Sequence, residues 1–453
     1  MEGHTAAAAA PTLGLTMPNV VDPPQVAFAV KDVDLTEWEG DILAVLVTEN
    51  NLSTATSSSR FTNAAALAKL DGELGGLLSE ASAEEDFTGR AGQSVALRLP
   101  TAPGRHGFKR VCLIGVGNNT PSSAAAYRSL GETVAAAAKS AQARTAAVAL
   151  AFPPPDWIHQ EDHRLNAAAA VASGLVLGLH EDSRYKSESK KLHLKQVDFI
   201  GSDYGDELDT KLKYANHVSS AVIFAKELVN SPANVLTPAA LAEEASKIAS
   251  TYSDVLTATI LDEEKCRELK MGSYLAVAAA SANPPHGGYN IKIGAVTTIE
   301  LMKKDMGGSA AVFGAAKALG QIKPPGVEII DLATLTGYCR IALGPSIAGI
   351  LTPSDELDKE VAAAYEASGE KFWRLPLEET YWEQMKSSVA DMLNTGSPLG
   401  GAITAGLFLK QFVDEKVQWM HIDMAGPVWN YKKQQATGFG VSTLVEWVLI
   451  NSS

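Results

Sequence analysis

A chain of 453 residues has room for two or three domains, and 46% hydrophobic with 20% charged residues is the balance of a globular protein with a large core. Its formal net charge of −14 argues against nucleic acid and anionic membrane surfaces as general partners. No run approaches the roughly 18 consecutive apolar residues of a membrane span. Three cysteines, Cys112, Cys266 and Cys339, stand far apart with no CxxC spacing. They are expected to be reduced thiols of an intracellular protein, with Cys112 in the core because it sits in the apolar run Val111-Cys112-Leu113-Ile114.

Residues 1–24 are Ala-rich and lack Arg and Lys. They fit neither a secretory signal nor a transit peptide and are expected to be a disordered tail. An N-terminal α/β domain is expected over 25–204. Its strands are Val26 to Val30, Ile42 to Val47, Val95 to Leu99, Val111 to Val116, Ala146 to Phe152 and Val197 to Gly201. Helical patterns at Asn63 to Leu78, Pro121 to Ala141 and Asn166 to His180 lie between them, which predicts βαβ crossovers and a mostly parallel sheet. The Lys/Arg-rich stretch Asp182 to Lys195 reads as a solvated connection, and Ser202 to Glu207 as the interdomain linker.

A second α/β domain is expected over 205–453. Leu212 to Val229 reads as a long amphipathic helix ended by Asn230-Ser231-Pro232, and Thr237-Pro238 opens a helix to Tyr252. Tyr274 to Ser281, Gly326 to Leu335 and Val417 to Met424 read as buried strands. The predicted fold class is α/β, two domains, each a mostly parallel sheet flanked by helices.

Common catalytic signatures are missing. Gly115-Val116-Gly117 lacks the third glycine and the acidic residue of a dinucleotide site, and neither GxSxG nor HExxH occurs. Gly307-Gly308-Ser309-Ala310-Ala311 opens a helix after Asp305, with small residues that allow close packing on a sheet and Asp305 expected at a cleft. His421 and Asp423 fall on one face of their strand and read first as a structural pair, second as a metal site.

Longer blocks are more informative. Asn230-Ser231-Pro232-Ala233-Asn234-Val235-Leu236-Thr237-Pro238 resembles the NxPxNxxTP signature of leucine aminopeptidases. Gly272 to Val277, Met302 to Ala310, Asp331 to Gly337 and Trp419 to Gly426 resemble further blocks of that family, in its order and closest to the plant branch. The resemblance implies a smaller N-terminal and a larger catalytic α/β domain. It also implies peptide substrates, a homo-hexamer, and removal of N-terminal residues by two divalent ions, Mn or Zn. Such ions polarise the scissile carbonyl and generate hydroxide near neutral pH.

The same resemblance exposes two gaps. The family takes five metal ligands from VGKGxTFDSGG, MKxDMGG and NTDAEGR, while the lysine of SGGxxIK and the arginine of NTDAEGR act on substrate. Here Pro284-Pro285-His286 runs directly into Gly287 to Lys292, and Val327-Glu328-Ile329 into Ile330-Asp331-Leu332. Only Asp305 carries over as a metal ligand and only Lys292 as a catalytic residue, and one carboxylate is too few to hold the two ions. An ion pair between them is expected, or exposure of both. The gaps also imply a C-terminal sheet missing strands relative to the family. The open readings are a metallo-aminopeptidase, active or impaired; a non-catalytic homologue that joins or regulates hexamers of an intact paralogue or has a separate binding role; or the product of a decayed or misspliced gene. Cytoplasm is expected in preference to chloroplast.

Overall fold

The computed structural model describes residues 23–52, 59–61, 63–100, 107–118, 121, 123–151, 160–187, 192–201, 207–233, 235–279, 299–323, 331–414 and 416–452. The chain divides into two compact units, residues 1–120, 130–155 and 178–204 in the first, and 121–129, 156–177 and 205–453 in the second.

The first unit carries β1 (Ala27–Lys31), β2 (Gly40–Thr48), α1 (Ala65–Glu73), α2 (Leu77–Glu84), β3 (Ser94–Arg98) and β4 (Phe108–Gly117). Helix α3 (Ala124–Ser140), β5 (Thr145–Leu150), α4 (Gln160–Leu179) and β6 (Gln196–Ile200) follow; the start of α3 and all of α4 but its last two residues belong to the second unit. The strands form one six-stranded sheet in the order β1-β6-β5-β2-β4-β3, parallel except for the β3–β4 pair. Central β2 is buried from Ile42 to Thr48, on both faces at once, as its unbroken apolar run requires.

Two details of this unit are set by single residues. The segment expected as one helix, Asn63 to Leu78, is two, because Gly75 and Gly76 adopt positive φ and turn the chain between α1 and α2. Asp71 then holds the turn, its buried carboxylate accepting from the Leu78 and Ser79 amides and the Ser59 and Ser79 hydroxyls. In β4, a Cβ placed on Gly115 would lie 2.1 Å from the Arg90 carbonyl oxygen. Gly115→Ala is therefore expected to destabilise the first unit by about 1–3 kcal/mol, seen as a lower urea midpoint at unchanged slope. An unchanged midpoint would mean that the 89–93 loop yields freely.

The second unit opens with α5 (Glu207–Asn230), α6 (Pro238–Thr251), α7 (Glu263–Glu268) and α8 (Gly272–Ala279), then a 3-10 helix Ile299–Met306 leading into α9 (Gly307–Ile322). It continues through β7 (Asp331–Ala333), α10 (Gly337–Leu343), β8 (Ala348–Leu351), α11 (Asp355–Ser368), β9 (Phe372–Arg374) and α12 (Gly401–Lys410). Strand β10 (His421–Asp423), the ribbon strands β11 (Trp429–Asn430) and β12 (Gln435–Ala436), and α13 (Val441–Asn451) complete it. The sheet runs β7-β10-β8-β9, with β7–β10 and β8–β9 parallel and β10–β8 antiparallel. Its core joins α5, α9, α11 and α13 to these strands through residues such as Val222, Ala311, Ile350, Met424 and Val445.

The reading of Tyr274 to Ser281 as a buried strand is corrected here. Residues Gly272–Ala279 form a helix, and Tyr274 is exposed. The run Tyr-Leu-Ala-Val-Ala-Ala is compatible with either state, and Ala favours helix. A helix satisfies its own backbone, whereas a strand needs a neighbour to pair with. Of the other two expected strands, only Asp331–Ala333 and His421–Asp423 are extended among the described residues.

Candidate functional site

Asp305 lies in the last turn of the 3-10 helix, just ahead of the glycines that start α9. Both glycines are buried. A Cβ on Gly307 would lie 2.3 Å from a Val428 methyl, and the Gly308 amide donates to Thr334 Oγ1 at 3.0 Å. Their small size lets the start of α9 close onto the β7–α10 turn, as the sequence predicts. Asp305 itself is exposed. Partial loss of water pushes its carboxyl above the usual range, and Lys304 beside it pulls the other way.

The other chemistry-bearing residues of this region serve the fold. Asp423, at the end of β10, is buried and accepts from the amides of Leu335, Thr336 and Ala425 and from the Thr336 hydroxyl, the last at 2.6 Å. Thr336 in turn caps α10 by accepting from the Cys339 amide at 3.1 Å. Asp423 is thus the clasp of the 334–336 turn. Burial pushes its carboxyl up, while these donors oppose the shift. His421, two residues earlier, is fully buried, and burial lowers its pKa from 6.5 to about 4.

Lys303 and Lys304 point to different places. Lys303 donates to the Asn230 carbonyl at 3.1 Å and lies over the Trp429 ring, while Lys304 donates to the Tyr431 hydroxyl at 3.0 Å. The Arg340 guanidinium of α10 stacks on the same tyrosine, 4.1 Å from its centroid. Sequence reading missed this grouping, since three segments far apart in the chain contribute to it. The one available signal was the bulk of Tyr338-Cys339-Arg340 after the turn.

Lys292, the residue matched to a substrate lysine, lies outside the described residues, as do 284–291 and 327–330 around the two gaps. The expected Asp305–Lys292 ion pair therefore falls outside them too. Among the described residues, no group of three or more His, Cys, Asp or Glu is placed to hold a metal ion. A pair of divalent ions needs several carboxylates converging on one point, and among the described residues Asp305 belongs to no such set. The described residues do not fit a dinuclear centre.

Comparison with known proteins supplies the context. A family described as "Cytosol aminopeptidase family, catalytic domain" matches residues 223–286 and 325–445, and its N-terminal domain matches 44–189. The catalytic match lapses over 287–324, the stretch holding Asp305. A rice leucine aminopeptidase, from Oryza sativa subsp. japonica, is 72% identical over 542 residues, spanning 96% of this chain and 100% of its own. A second from the same organism, leucine aminopeptidase 2, chloroplastic, is 64% identical over 540 residues, covering 100% of this chain and 89% of its own. Both alignments exceed the 453 residues present, so these relatives carry segments that this chain lacks. A lysine-to-glutamate mutant of tomato leucine aminopeptidase superposes with a TM-score of 0.88 at 48% identity, over 98% of this chain and 100% of that one. The chloroplastic designation of several relatives overturns the expectation of cytoplasm, which rested only on the composition of residues 1–24.

Proposed function

The chain belongs to the cytosol aminopeptidase family, and from that premise we propose that it is a chloroplast member that binds peptides but is severely impaired in hydrolysing them. The observation that supports this reading most directly is the position of Asp305, exposed and outside any cluster of three potential ligands among the described residues. In the family's chemistry a pair of Mn or Zn ions would activate water and polarise the peptide carbonyl. Of the ligands this needs, Asp305 is the one carried over by motif, and Lys292 is the matching substrate-side lysine. One carboxylate is too few hard ligands for two divalent ions.

A second reading follows from the same loss. The first unit holds a six-stranded sheet among the described residues, and the core of the second is continuous through α5, α9 and α13. Such a chain suits a non-catalytic subunit that joins an intact paralogue in a hexamer.

The test is direct. With Mn added, the purified chain is expected to hydrolyse Leu-p-nitroanilide no faster than the blank, and titration calorimetry to find no pair of tight Mn or Zn sites. Turnover accompanied by two tight sites, both lost in Asp305→Ala, would refute the proposal. Co-purification with an intact subunit would favour the second reading over the first.

A further inference from the structure

In the second unit, cations from separate chain segments converge on one aromatic hairpin. The ribbon β11–β12 presents Tyr431 at its turn, followed by exposed Lys432 and Lys433, whose amides both donate to Asn430 Oδ1. Lys304 reaches it from the 3-10 helix and Arg340 from α10, one through the tyrosine hydroxyl and the other through its ring face. Lys303, by contrast, is engaged with the Asn230 carbonyl and Trp429.

This arrangement is unusual for so acidic a chain. With a net charge of −14, carboxylates are abundant, yet Lys304 and Arg340 both contact one tyrosine. Two cations sharing a ring repel each other, and a bound anion would offset that repulsion. Stacking occupies the face of a guanidinium and leaves its N–H edges available for a planar, two-oxygen acceptor. The Tyr431 hydroxyl accepts from Lys304, so its own hydrogen remains available to donate. Asp305, next to Lys304, contributes one negative charge and so disfavours large polyanions. Lys432, next to Tyr431 and exposed, adds a positive charge at the surface nearby.

We propose that Lys304, Arg340 and Tyr431 form a binding site for a small oxyanion, either a carboxylate such as a peptide C-terminus or a phosphate. The guanidinium edge takes two oxygens of the ligand, and the ammonium and the phenol hydrogen take the remainder. The site requires no metal and no turnover, so its fate is separate from that of the hydrolytic reading above.

Titration calorimetry of the full chain at low ionic strength tests it with three probes: inorganic phosphate, the dipeptide Leu-Gly and Leu-Gly amide. Saturable binding is expected for phosphate, for Leu-Gly, or for both, with the amide at least about tenfold weaker than the free acid. Phosphate alone identifies the phosphate source, and the free dipeptide alone identifies the carboxylate. Lys304→Gln and Arg340→Gln should each weaken binding by about tenfold or more, with Arg340→Lys intermediate and Lys432→Gln within about twofold of the unmodified chain. Should Arg340→Gln fail to fold, Lys304→Gln decides alone. The proposal is overturned if no probe binds saturably, if the dipeptide and its amide bind equally while phosphate does not, or if Lys304→Gln binds as tightly as the unmodified chain.

Discussion

Asp423→Ala is expected to lower the stability of the second unit by about 3–5 kcal/mol, since each buried donor left unsatisfied costs about 1–3 kcal/mol. The carboxylate it removes receives the amides of Leu335, Thr336 and Ala425 together with the Thr336 hydroxyl. Of these residues Thr336 and Ala425 are buried, whereas Leu335 is partly exposed and can turn to water, so the total stays below the sum of the separate costs. The loss would spread, because Thr336 also caps α10 and the same turn accepts the Gly308 amide at the start of α9. Asp423→Asn keeps one oxygen acceptor but points an amide at donors, and should fall between the parent and the alanine variant. Urea unfolding at pH 7 measures all three. An alanine variant within about 1 kcal/mol of the parent would show that the turn is held by something other than this carboxylate.

Stability is expected to fall by about 3 kcal/mol as the pH drops from 6.5 to 4, through His421 alone. An unfolded histidine takes up its proton near pH 6.5, but burial delays protonation of His421 to about 4. Between those values the unfolded chain holds a proton that the native chain lacks, so acid favours unfolding. Above pH 6.5 both states are neutral at this residue, and its contribution is fully present. His421 lies wholly out of solvent in the middle strand pair, opposite Leu351 of β8 and Asp331 of β7, so little screening by water softens the effect. His421→Phe removes the titrating group while keeping an aromatic ring in the site. Urea midpoints measured at pH 7 and pH 4.5 should converge toward the variant's own, shallower dependence. A parent and variant that lose the same stability over that range would show that His421 does not carry it.

Much of the first unit was legible in the sequence. All six expected strands appear within a few residues of their predicted bounds, because each is an apolar run framed by polar or glycine-bearing turns. The failures are local ambiguities of the same code. Gly75 and Gly76 break a helix whose apolar spacing continues straight through them. The residues of α8 satisfy a strand pattern and a helix pattern equally, and the segment is a helix.

The candidate site divides along another line. Ligand roles were legible only by motif: motif made Asp305 the expected metal ligand, and its side chain is exposed beside Lys304. Nothing in the spacing of His421 and Asp423 reveals that the aspartate clasps the 334–336 turn, because its donors lie on a segment far away in the chain. Arg340 and Tyr431 carry no motif at all, and their stacking exists only once the ribbon and α10 have packed.

The sequence by itself determined the family and the six strands of the first unit, and its motifs left Asp305 as the one expected metal ligand. Those properties reside in residue identity and in short-range periodicity. The tertiary structure alone decided which polar groups meet: the donors that satisfy Asp423, the burial that keeps His421 neutral, and the two cations that share Tyr431. Hydrogen bonds and charge interactions act over a few ångströms in space, a distance that separation along the chain does not encode.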